Sequence, residues 1–398
     1  MIAYPDAVTR LLAECRTLSS EHPGLDKAAG RVLAADVVSP LSLPGFDNAA
    51  MDGYALRAPG ASIAAGSGYR VAAMHAAGDG ALAYPEAECC EIATGARMPE
   101  GFDTVVPLER CERDGDRVHF LADEPRGQNV RTVGGDLRAG SVALHAGRRI
   151  DAAAVMLLAA LGIDGVDVVR RPRVAVIATR SELHPAGALP PGGIHDSNGP
   201  FLAASLLRWG AELVVRQRVP DVGTAFHEAI ADALAAGVDL IVTTGAVSAG
   251  RFDFVPTTLS ALGAHTLFHK VAMRPGKPLL AARFDAGPLV LGLPGNPMAV
   301  AVGYRFFVAP VLRALAGLPP ERPQRVRVAE GVSLREGLHH FALGRFIDDI
   351  DGETRVCVMP AQAAYRIVPY TQADTWLSAA DAFNGRVDAW PLDPADAR

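Results

Sequence analysis

Four loops of this chain carry residue types that bind anions. Two carry hydroxyls: the loop in IATRSEL with Thr179, and the glycine-containing stretch TTGAVSAG with Thr244, Gly245, Ser248 and Gly250. The others are RPGKP, with Arg274, Pro275, Lys277 and Pro278, and GLPGNP, with Gly295, Asn296 and Pro297. Hydroxyls and amides freed by glycine form anion-binding concavities, and a helix starting after Asn296 adds oriented N–H groups. Either glycine-rich loop alone is better explained as a tight turn, but together, and beside RPGKP, they favour an anionic ligand.

The composition makes Lys277 the most informative of these residues. Lysine and arginine total 38 residues, and the lysines among them are Lys27, Lys270 and Lys277. In a chain that uses arginine by default, an ordinary exposed cation would more often be arginine. The prolines at 275 and 278 restrict the loop and fix where the Lys277 side chain points. A compact, strongly hydrated ammonium suits an oxyanion or a phosphate.

Five carboxylates lie in glycine-rich or turn contexts rather than on charged helix faces: Asp52, Asp136, Glu182, Asp221 and Asp253. Each one alone is typical of a turn or a helix cap. As a group they offer the donor set of a magnesium site, in which one or two carboxylates join phosphate oxygens. Both interpretations stay open from the residues alone. Because the net charge is −6, an anionic ligand needs a local basic site or a metal ion.

The elements that must position these loops follow from hydrophobic periodicity. Residues 5–19 and 151–162 show helical spacing, whereas short alternating runs between them predict a β-rich module. From Arg173 onward, apolar strands alternate with helices, which predicts a doubly wound α/β domain over residues 171–317. In such a sheet, ligands bind beyond the carboxyl ends of the strands, where the four loops are expected. After the segment LPPERPQ, three alternating runs predict a small C-terminal β domain.

Composition excludes several classes of protein. The chain has 398 residues, 49% of them hydrophobic and 21% charged, with a pI near 6.0, which argues against a general nucleic-acid binder. It has no run of about 18 apolar residues free of charges or glycines, and its first residues lack the pattern of a signal peptide. The five cysteines show neither a disulfide framework nor a metal-binding spacing. We therefore expect a cytoplasmic protein that binds neither nucleic acid nor a membrane.

The same segments carry a resemblance to a known family. In order they are PGFDNAAMDGYA (44–55), TGARMPEGFDTVV (94–106), GQNVRTVGGDLRAG (127–140), RRPRVAVIATRSEL (170–183), IHDSN (194–198), TTGAVSAGRFDF, RPGKP and GLPGNP. Eight ordered motifs over nearly the full length are far more specific than one glycine-rich loop. The chain resembles the molybdopterin molybdenumtransferases, the family of MoeA and of the gephyrin E domain.

The resemblance implies an α/β multidomain chain that forms an L-shaped homodimer. An N-terminal helical region, 1–27, would be joined in space by a linking helical region, 147–170. An inserted β-rich domain would span 28–146. A doubly wound domain of the MoaB and MogA type, 171–317, would bind molybdopterin, and a small C-terminal β-barrel-like domain, 318–398, would close the site. The implied reaction inserts molybdate into adenylylated molybdopterin, with Mg²⁺-dependent release of AMP.

The resemblance also implies roles for individual residues. Asp52 and Thr94 would reach the cleft from the partner subunit, and Asp136 would join the catalytic set. Three carboxylates would handle metal and phosphate: Glu182, Asp221 and Asp253. The oxyanion would bind Arg274, Lys277 and Pro278, and the other residues named in the four loops would bind the pterin nucleotide. Implied partners are the small-molecule substrates and, transiently, the adenylyltransferase and the molybdoenzyme apoproteins.

The chain departs from the family pattern in four motifs. Arg180-Ser181 stands where the family has Gly-Asp, Ala246 replaces a second glycine, Ala299 replaces a serine, and Ala363-Ala364 replaces Gly-Ser. Two hydroxyls near the oxyanion site are thereby lost, and hydrogen bonds to charged groups contribute about 1.5–3 kcal/mol each. Two functions are therefore open. One is an active molybdenumtransferase, and the other is a paralogue that binds or delivers molybdopterin, or the finished cofactor, without turnover.

Overall fold

The structure is a computed structural model of the chain. It describes residues 1–80, 83–84, 88–247, 254–348, 354–360, 362–380 and 382–396. Three sheets of six or seven strands dominate this part of the chain. One lies in the first third of the sequence, one in the middle, and one is built mainly from the C-terminal residues.

The middle sheet confirms the predicted doubly wound domain. In spatial order its strands are Glu212–Val219, Arg173–Thr179, Leu240–Thr244, Leu289–Leu293, Leu280–Phe284 and Ala264–His269. The first four strands are parallel, and the last two pairings are antiparallel. Helices cover both faces, which is why the parallel strands are continuous apolar runs.

The strand Arg173–Thr179 shows how the two faces are covered. Val176 packs with Leu202 in a core that includes the helices Asn198–Trp209 and Pro297–Leu315. The next residue, Ile177, points to the opposite face and packs with Phe226 in a core that includes Gly223–Ala235 and Val255–Ala261. Successive side chains of a strand alternate between faces, so one strand supplies both cores.

The helix Pro297–Leu315 is the longest apolar element of this domain. It consists of Pro297–Gly303, a π-helical turn at Tyr304–Val308, and Ala309–Leu315. Pro310 lacks the N–H that a regular helix would need there, which fits the local change of geometry. By length and composition this helix could cross a membrane, but 89% of the apolar window is buried within the protein. That burial is the pattern of a core helix.

A second six-stranded sheet occupies the N-terminal third and confirms the predicted β-rich module. In spatial order its strands are Thr104–Pro107, Gly53–Leu56, Glu88–Ile92, Gly68–His75, Arg117–Phe120 and Cys111–Asp114. Both faces bury apolar side chains, since Cys90 packs in one core and Cys89 in the other. Short strand pairs border it: Val37–Val38 with Val142–Leu144, Asn48–Ala49 with Val130–Arg131, and Ser62–Ile63 with Glu124–Pro125.

Residues on both sides of this module meet in a small helical and three-stranded unit. It contains the helices Leu25–Ala28 and Ala152–Ala160 and the strands Ser20–Glu21, Val168–Val169 and Val32–Leu33. The predicted cap is present, because Asp151 Oδ1 accepts a hydrogen bond from Ala154 N at 2.8 Å. The first helix, Tyr4–Leu12, lies elsewhere, since Leu11 packs in the core of the doubly wound domain.

The C-terminal residues form a closed, barrel-like sheet. Its strands are Gln324–Val328, His339–Asp348, Thr354–Val358, Thr375–Ala379 and Arg386–Pro391, and the long strand His339–Asp348 pairs with two others to close the ring. Val271–Arg274 and Ile2–Ala3 extend this sheet at one edge. The segment before RPGKP therefore belongs to the barrel, whereas the segment after it belongs to the doubly wound sheet. Two short pairs complete the fold: Leu183–His184 with Ile194–His195, and Val332–Ser333 with Ala382–Phe383.

Candidate functional site

A cleft of about 910 Å³ lies between the doubly wound domain and the C-terminal barrel. On the side of the doubly wound domain, the cleft is lined by five of the predicted site residues: Arg274, Pro275, Lys277, Pro278 and Asn296. On the barrel side the lining includes Arg335, Glu336, His340, Gln362 and Ala364. Two of the four predicted anion-binding loops therefore face one space.

Backbone pairing from both sides positions the RPGKP loop. Arg274 pairs with His340 of the barrel, whereas Leu280 pairs with Gly292 of the doubly wound sheet. Gly276 between them has φ +107°, which favours glycine, and a Cβ there would lie 2.7 Å from Met273 Cε. The loop thus spans from one domain to the other in one defined conformation.

The cleft is basic. Its charged side chains are three cations, Arg274, Lys277 and Arg335, and one carboxylate, Glu336. All four residues are exposed. Among the described residues, neither the Arg274 guanidinium nor the Lys277 ammonium has an ion-pair partner within 4.0 Å. An anion entering the cleft would therefore meet cations whose charge is not already neutralised.

The helix start at Asn296 contributes less than the sequence predicts. Met298 N donates to the carbonyl oxygen of Ala364 at 3.0 Å, and Ala299 N and Val300 N donate to that of Asn296 at 3.0 Å each. Pro297 has no N–H. The N–H groups of the first turn are therefore engaged within the chain, and side chains must supply most of the anion binding.

The loops at the carboxyl edge of the sheet are held by a buried threonine. Thr179 Oγ1 donates to the carbonyl oxygen of Thr244 at 3.0 Å, and both residues are buried. A Cβ at Gly245, where φ is +92°, would lie 2.4 Å from the carbonyl oxygen of Thr179. The ends of two neighbouring strands, at Thr179 and Thr244, are therefore held together, and the turn at Gly245 packs tightly against Thr179. Ala246 follows with φ +48°, a conformation that alanine rarely adopts.

Two of the predicted metal-binding carboxylates lie beside this turn. Glu182 Oε1 is 2.7 Å from Arg180 Nη1. Asp221 Oδ2 accepts a hydrogen bond from Ser181 N at 3.4 Å, and Asp221 N donates to Ser181 Oγ at 3.2 Å. The residues described in the structure contain no group of three metal-ligating side chains. Asp253, Ser248 and Gly250 lie outside the described residues.

The predicted site residues of the β-rich module form a separate group. Asp52 Oδ1 accepts a hydrogen bond from Thr94 N at 2.7 Å, and both residues are exposed. Asp136 is also exposed, and its N–H donates to the carbonyl oxygen of Leu43 at 3.0 Å. None of these three residues lines the cleft of the same chain.

The barrel side of the cleft was predicted only in part, because the resemblance placed Ala363-Ala364 near the oxyanion site but no motif indicated Arg335, Glu336 or His340. His340 is 7% exposed, and its Nε2 lies 2.9 Å from the carbonyl oxygen of Arg335. This contact fixes the loop that presents Arg335 and Glu336. The only local signal is a pair of adjacent charges before a glycine, because the cleft depends on contacts between distant parts of the chain.

The fold and the cleft define a class: α/β proteins whose basic site at the carboxyl edge of a doubly wound sheet is covered by a second domain. Residues 2–162 match the family described as "MoeA N-terminal region (domain I and II)", and residues 175–314 match "Probable molybdopterin binding domain". The chain belongs to the molybdopterin molybdenumtransferase family and is a transferase of molybdenum cofactor biosynthesis.

Relatives support this assignment over most of the chain. A molybdopterin molybdenumtransferase of Synechococcus elongatus is 37% identical over 388 residues, covering 94% of each chain. Molybdopterin molybdenumtransferase 2 of Mycobacterium tuberculosis is 39% identical over 332 residues, covering 81% of each. The crystal structure of a molybdopterin biosynthesis MoeA protein from Pyrococcus horikoshii matches with a TM-score of 0.84 at 25% identity, covering 98% of this chain and all of the other. The predicted family and fold class are confirmed.

Proposed function

We propose that this chain inserts molybdate into adenylylated molybdopterin and releases AMP, acting as a homodimer in the cytoplasm. The observation that carries the proposal is the pair of exposed cations, Arg274 and Lys277, in the cleft between the two domains. Molybdate and the phosphates of the substrate are all oxyanions. The Arg274 guanidinium and the Lys277 ammonium, which are not ion-paired to described residues, suit the binding of molybdate and of these phosphates.

The chemistry needs charge neutralisation more than a nucleophilic side chain. Cleaving AMP from the substrate increases negative charge at the departing phosphate, and prearranged positive groups stabilise that charge. Lys277 is placed as a point charge for an oxyanion, and Arg274 has a planar fork that binds two oxygens at once. The RPGKP loop is anchored in both domains, so these charges need little rearrangement when the ligand binds.

Two of the residues that the resemblance assigns to magnesium, Glu182 and Asp221, lie beside the carboxyl edge of the sheet. Mg²⁺ would add charge neutralisation at the phosphates, and the resemblance assigns it to Glu182, Asp221 and Asp253. As described, the residues do not fit such a site, because the Arg180 guanidinium lies where a cation would contact Glu182. The Mg²⁺ dependence therefore stays a prediction from the resemblance.

A homodimer would bring the separate group of site residues into use. Asp52 and Thr94 are hydrogen-bonded to each other, exposed, and away from the cleft of their own chain. An exposed carboxylate held by a backbone N–H is prearranged for a ligand that another surface supplies. This supports the proposal that they complete the cleft of the partner subunit.

The test of this function is molybdate-dependent AMP release. The purified protein is incubated with adenylylated molybdopterin and Mg²⁺, with and without molybdate, and AMP is quantified by chromatography. We expect AMP release that increases with molybdate. No AMP release under either condition would rule out the catalytic function.

A second candidate function is favoured by the alanines at the cleft. Ala299, Ala363 and Ala364 line it where the family has two hydroxyls and a glycine. A protein that binds molybdopterin or the finished cofactor for delivery would need the cavity but not the full oxyanion site. If the protein has this function, the purified protein should retain a bound pterin that can be detected by fluorescence. It should not convert that pterin to a product, and it should produce no AMP.

A further inference from the structure

The Arg180 side chain occupies a space that two glycines leave open at the carboxyl edge of the sheet. A Cβ added at Gly295 would lie 2.7 Å from Arg180 Nη2, 2.8 Å from Nε and 2.9 Å from Cζ. Three nearly equal distances show that the guanidinium lies flat against Gly295. A Cβ added at Gly245 would lie 3.4 Å from Arg180 Cγ. The loops on either side therefore both accommodate this arginine.

The same guanidinium neutralises Glu182 and keeps hydrogen-bonding capacity. Nη1 lies 2.7 Å from Glu182 Oε1, and the two side chains are 41% and 35% exposed. Among the described residues, Glu182 is the hydrogen-bond acceptor of the Arg180 side chain. A guanidinium carries five N–H donors in a planar fork, so most of them stay available to a ligand. Pairs this exposed contribute about 0–1 kcal/mol, so the side chain can shift toward a ligand at low cost.

Ser181, the residue after Arg180, also makes this edge of the sheet more positive than the family pattern. Ser181 stands where the family has an acidic residue, and its hydroxyl and N–H bind Asp221 without adding charge. Arg180 adds one positive charge and Ser181 removes one negative charge. The edge of the sheet is thereby more positive than the family pattern without any bound ion.

We propose that the Arg180 guanidinium takes the place of a divalent cation beside Glu182 and binds a phosphate of the substrate. The inference rests on the proposed function, which supplies that phosphate. Arg180 directly follows Thr179, the last residue of a strand in the parallel part of the sheet, and ligands of doubly wound sheets bind at this edge. The planar fork matches two phosphate oxygens, a geometry that an ammonium cannot provide.

Manganese binding by the protein alone tests the first half of the proposal. Mn²⁺, a paramagnetic substitute for Mg²⁺, is titrated into wild type, Arg180→Gly and the double variant Arg180→Gly/Glu182→Gln and followed by EPR. We expect Arg180→Gly to bind Mn²⁺ several-fold more tightly, up to about fivefold, and Glu182→Gln to abolish that gain. Arg171→Gly removes the same charge just before the opposite end of the strand Arg173–Thr179 and should behave as wild type. Equal affinities of wild type and Arg180→Gly, or no binding by either, would overturn the proposal.

AMP release in EDTA tests the second half. Wild type should keep most of its rate in EDTA, whereas Arg180→Gly should lose roughly tenfold or more and recover when Mg²⁺ is added. Arg180→Lys, which keeps the charge but not the fork, should lie between them. Equal sensitivity of wild type and Arg180→Gly to EDTA would contradict phosphate binding by Arg180. If no variant releases AMP, the proposed function fails, and the Mn²⁺ titration still decides whether Arg180 replaces a cation.

Discussion

Met298 donates its backbone N–H to the carbonyl oxygen of Ala364 at 3.0 Å, across the boundary between the doubly wound domain and the C-terminal barrel. The bond uses a donor that a helix start would otherwise offer to an anion. It also fixes the distance between the two walls of the cleft. Anion binding in this protein therefore depends on the side chains of Arg274 and Lys277 more than on the helix.

Replacing Lys277 should weaken oxyanion binding and turnover together. Lys277→Ala removes an exposed ammonium from the cleft, and hydrogen bonds to charged groups are worth about 1.5–3 kcal/mol, or roughly 10- to 150-fold. We expect a loss of this size in the molybdate affinity measured by calorimetry and in the rate of AMP release. Lys27→Ala removes an exposed lysine from the helix Leu25–Ala28 and is the matched control. Equal activity of the two variants would show that Lys277 has no role in binding.

Restoring the missing hydroxyls should strengthen molybdate binding. Ala299→Ser and Ala364→Ser each add a hydroxyl to the lining of the cleft that contains Lys277, the first from the helix that begins after Asn296 and the second from the barrel side. At about 1.5–3 kcal/mol for a bond to a charged group, either change should lower the molybdate Kd by roughly tenfold or more. Calorimetric titration of the single and double variants measures the effect. An unchanged Kd in both would mean that the oxyanion binds elsewhere.

Ala246 carries backbone strain that glycine would relieve. Its φ of +48° lies in the left-handed region, which costs alanine roughly 1–2 kcal/mol, partly offset by the greater unfolded-state entropy of glycine. We expect Ala246→Gly to raise the melting temperature by about 1–4 °C, as followed by circular dichroism. Gly245→Ala is the opposite control and should destabilise, because its Cβ would lie 2.4 Å from the carbonyl oxygen of Thr179. A lower melting temperature for Ala246→Gly would contradict this account.

Acid should destabilise the protein partly through His339. Burial, with a smaller contribution from His340, lowers the pKa of His339 from 6.5 to about 4. Between these values the unfolded chain binds more protons than the folded one, so stability rises with pH and falls on acidification. His339→Phe keeps a ring beside Tyr4, 4.4 Å away between centroids, and removes the titrating group. Melting temperatures between pH 4 and 7 should therefore change less in the variant, and identical pH profiles would contradict the assignment.

Subunit mixing tests whether Asp52 completes the cleft of a partner. Asp52→Ala and Lys277→Ala should each be inactive as pure dimers. After unfolding and refolding as an equal mixture, heterodimers should contain one intact site, which restores about a quarter of the wild-type AMP release per chain. A mixture of Lys277→Ala with Arg274→Ala, altered on the same side of the cleft, should stay inactive. Failure of the first mixture to recover activity would exclude a site shared between subunits.

The sequence predicted the architecture well where local patterns and packing agree. Apolar runs such as Arg173–Thr179 are strands because they are buried on both faces, and Asp151 caps the helix that follows it. Distant contacts explain the differences. The helix predicted over residues 5–19 ends at Leu12, because the chain then turns so that Leu18 N donates to the carbonyl oxygen of Leu315. At the helix Asn198–Trp209, Ser197 has the residue type of a helix cap, but the hydrogen bond from Gly199 N is accepted by Asp196 Oδ1 instead.

The candidate site was predictable only on the side that the motifs describe. Lys277 was found from composition and proline spacing, Arg274 was named as part of the same RPGKP loop, and both line the cleft. On the opposite wall the resemblance indicated Ala363-Ala364, but Arg335 was missed, because no local pattern shows that it faces RPGKP. The ion pair between Arg180 and Glu182 was also missed, although both residues were singled out, because the sequence does not show which way a long side chain turns.

If the basic cleft transfers molybdenum and does not only bind the pterin, one turnover must yield both AMP and pterin-bound molybdenum. The most direct measurement is one turnover with adenylylated molybdopterin and molybdate, in which AMP and pterin-bound molybdenum are quantified together for wild type and Lys277→Ala. We expect wild type to yield equal amounts of AMP and pterin-bound molybdenum, and Lys277→Ala to yield much less of both. Pterin retained by wild type with neither AMP nor bound molybdenum would contradict it.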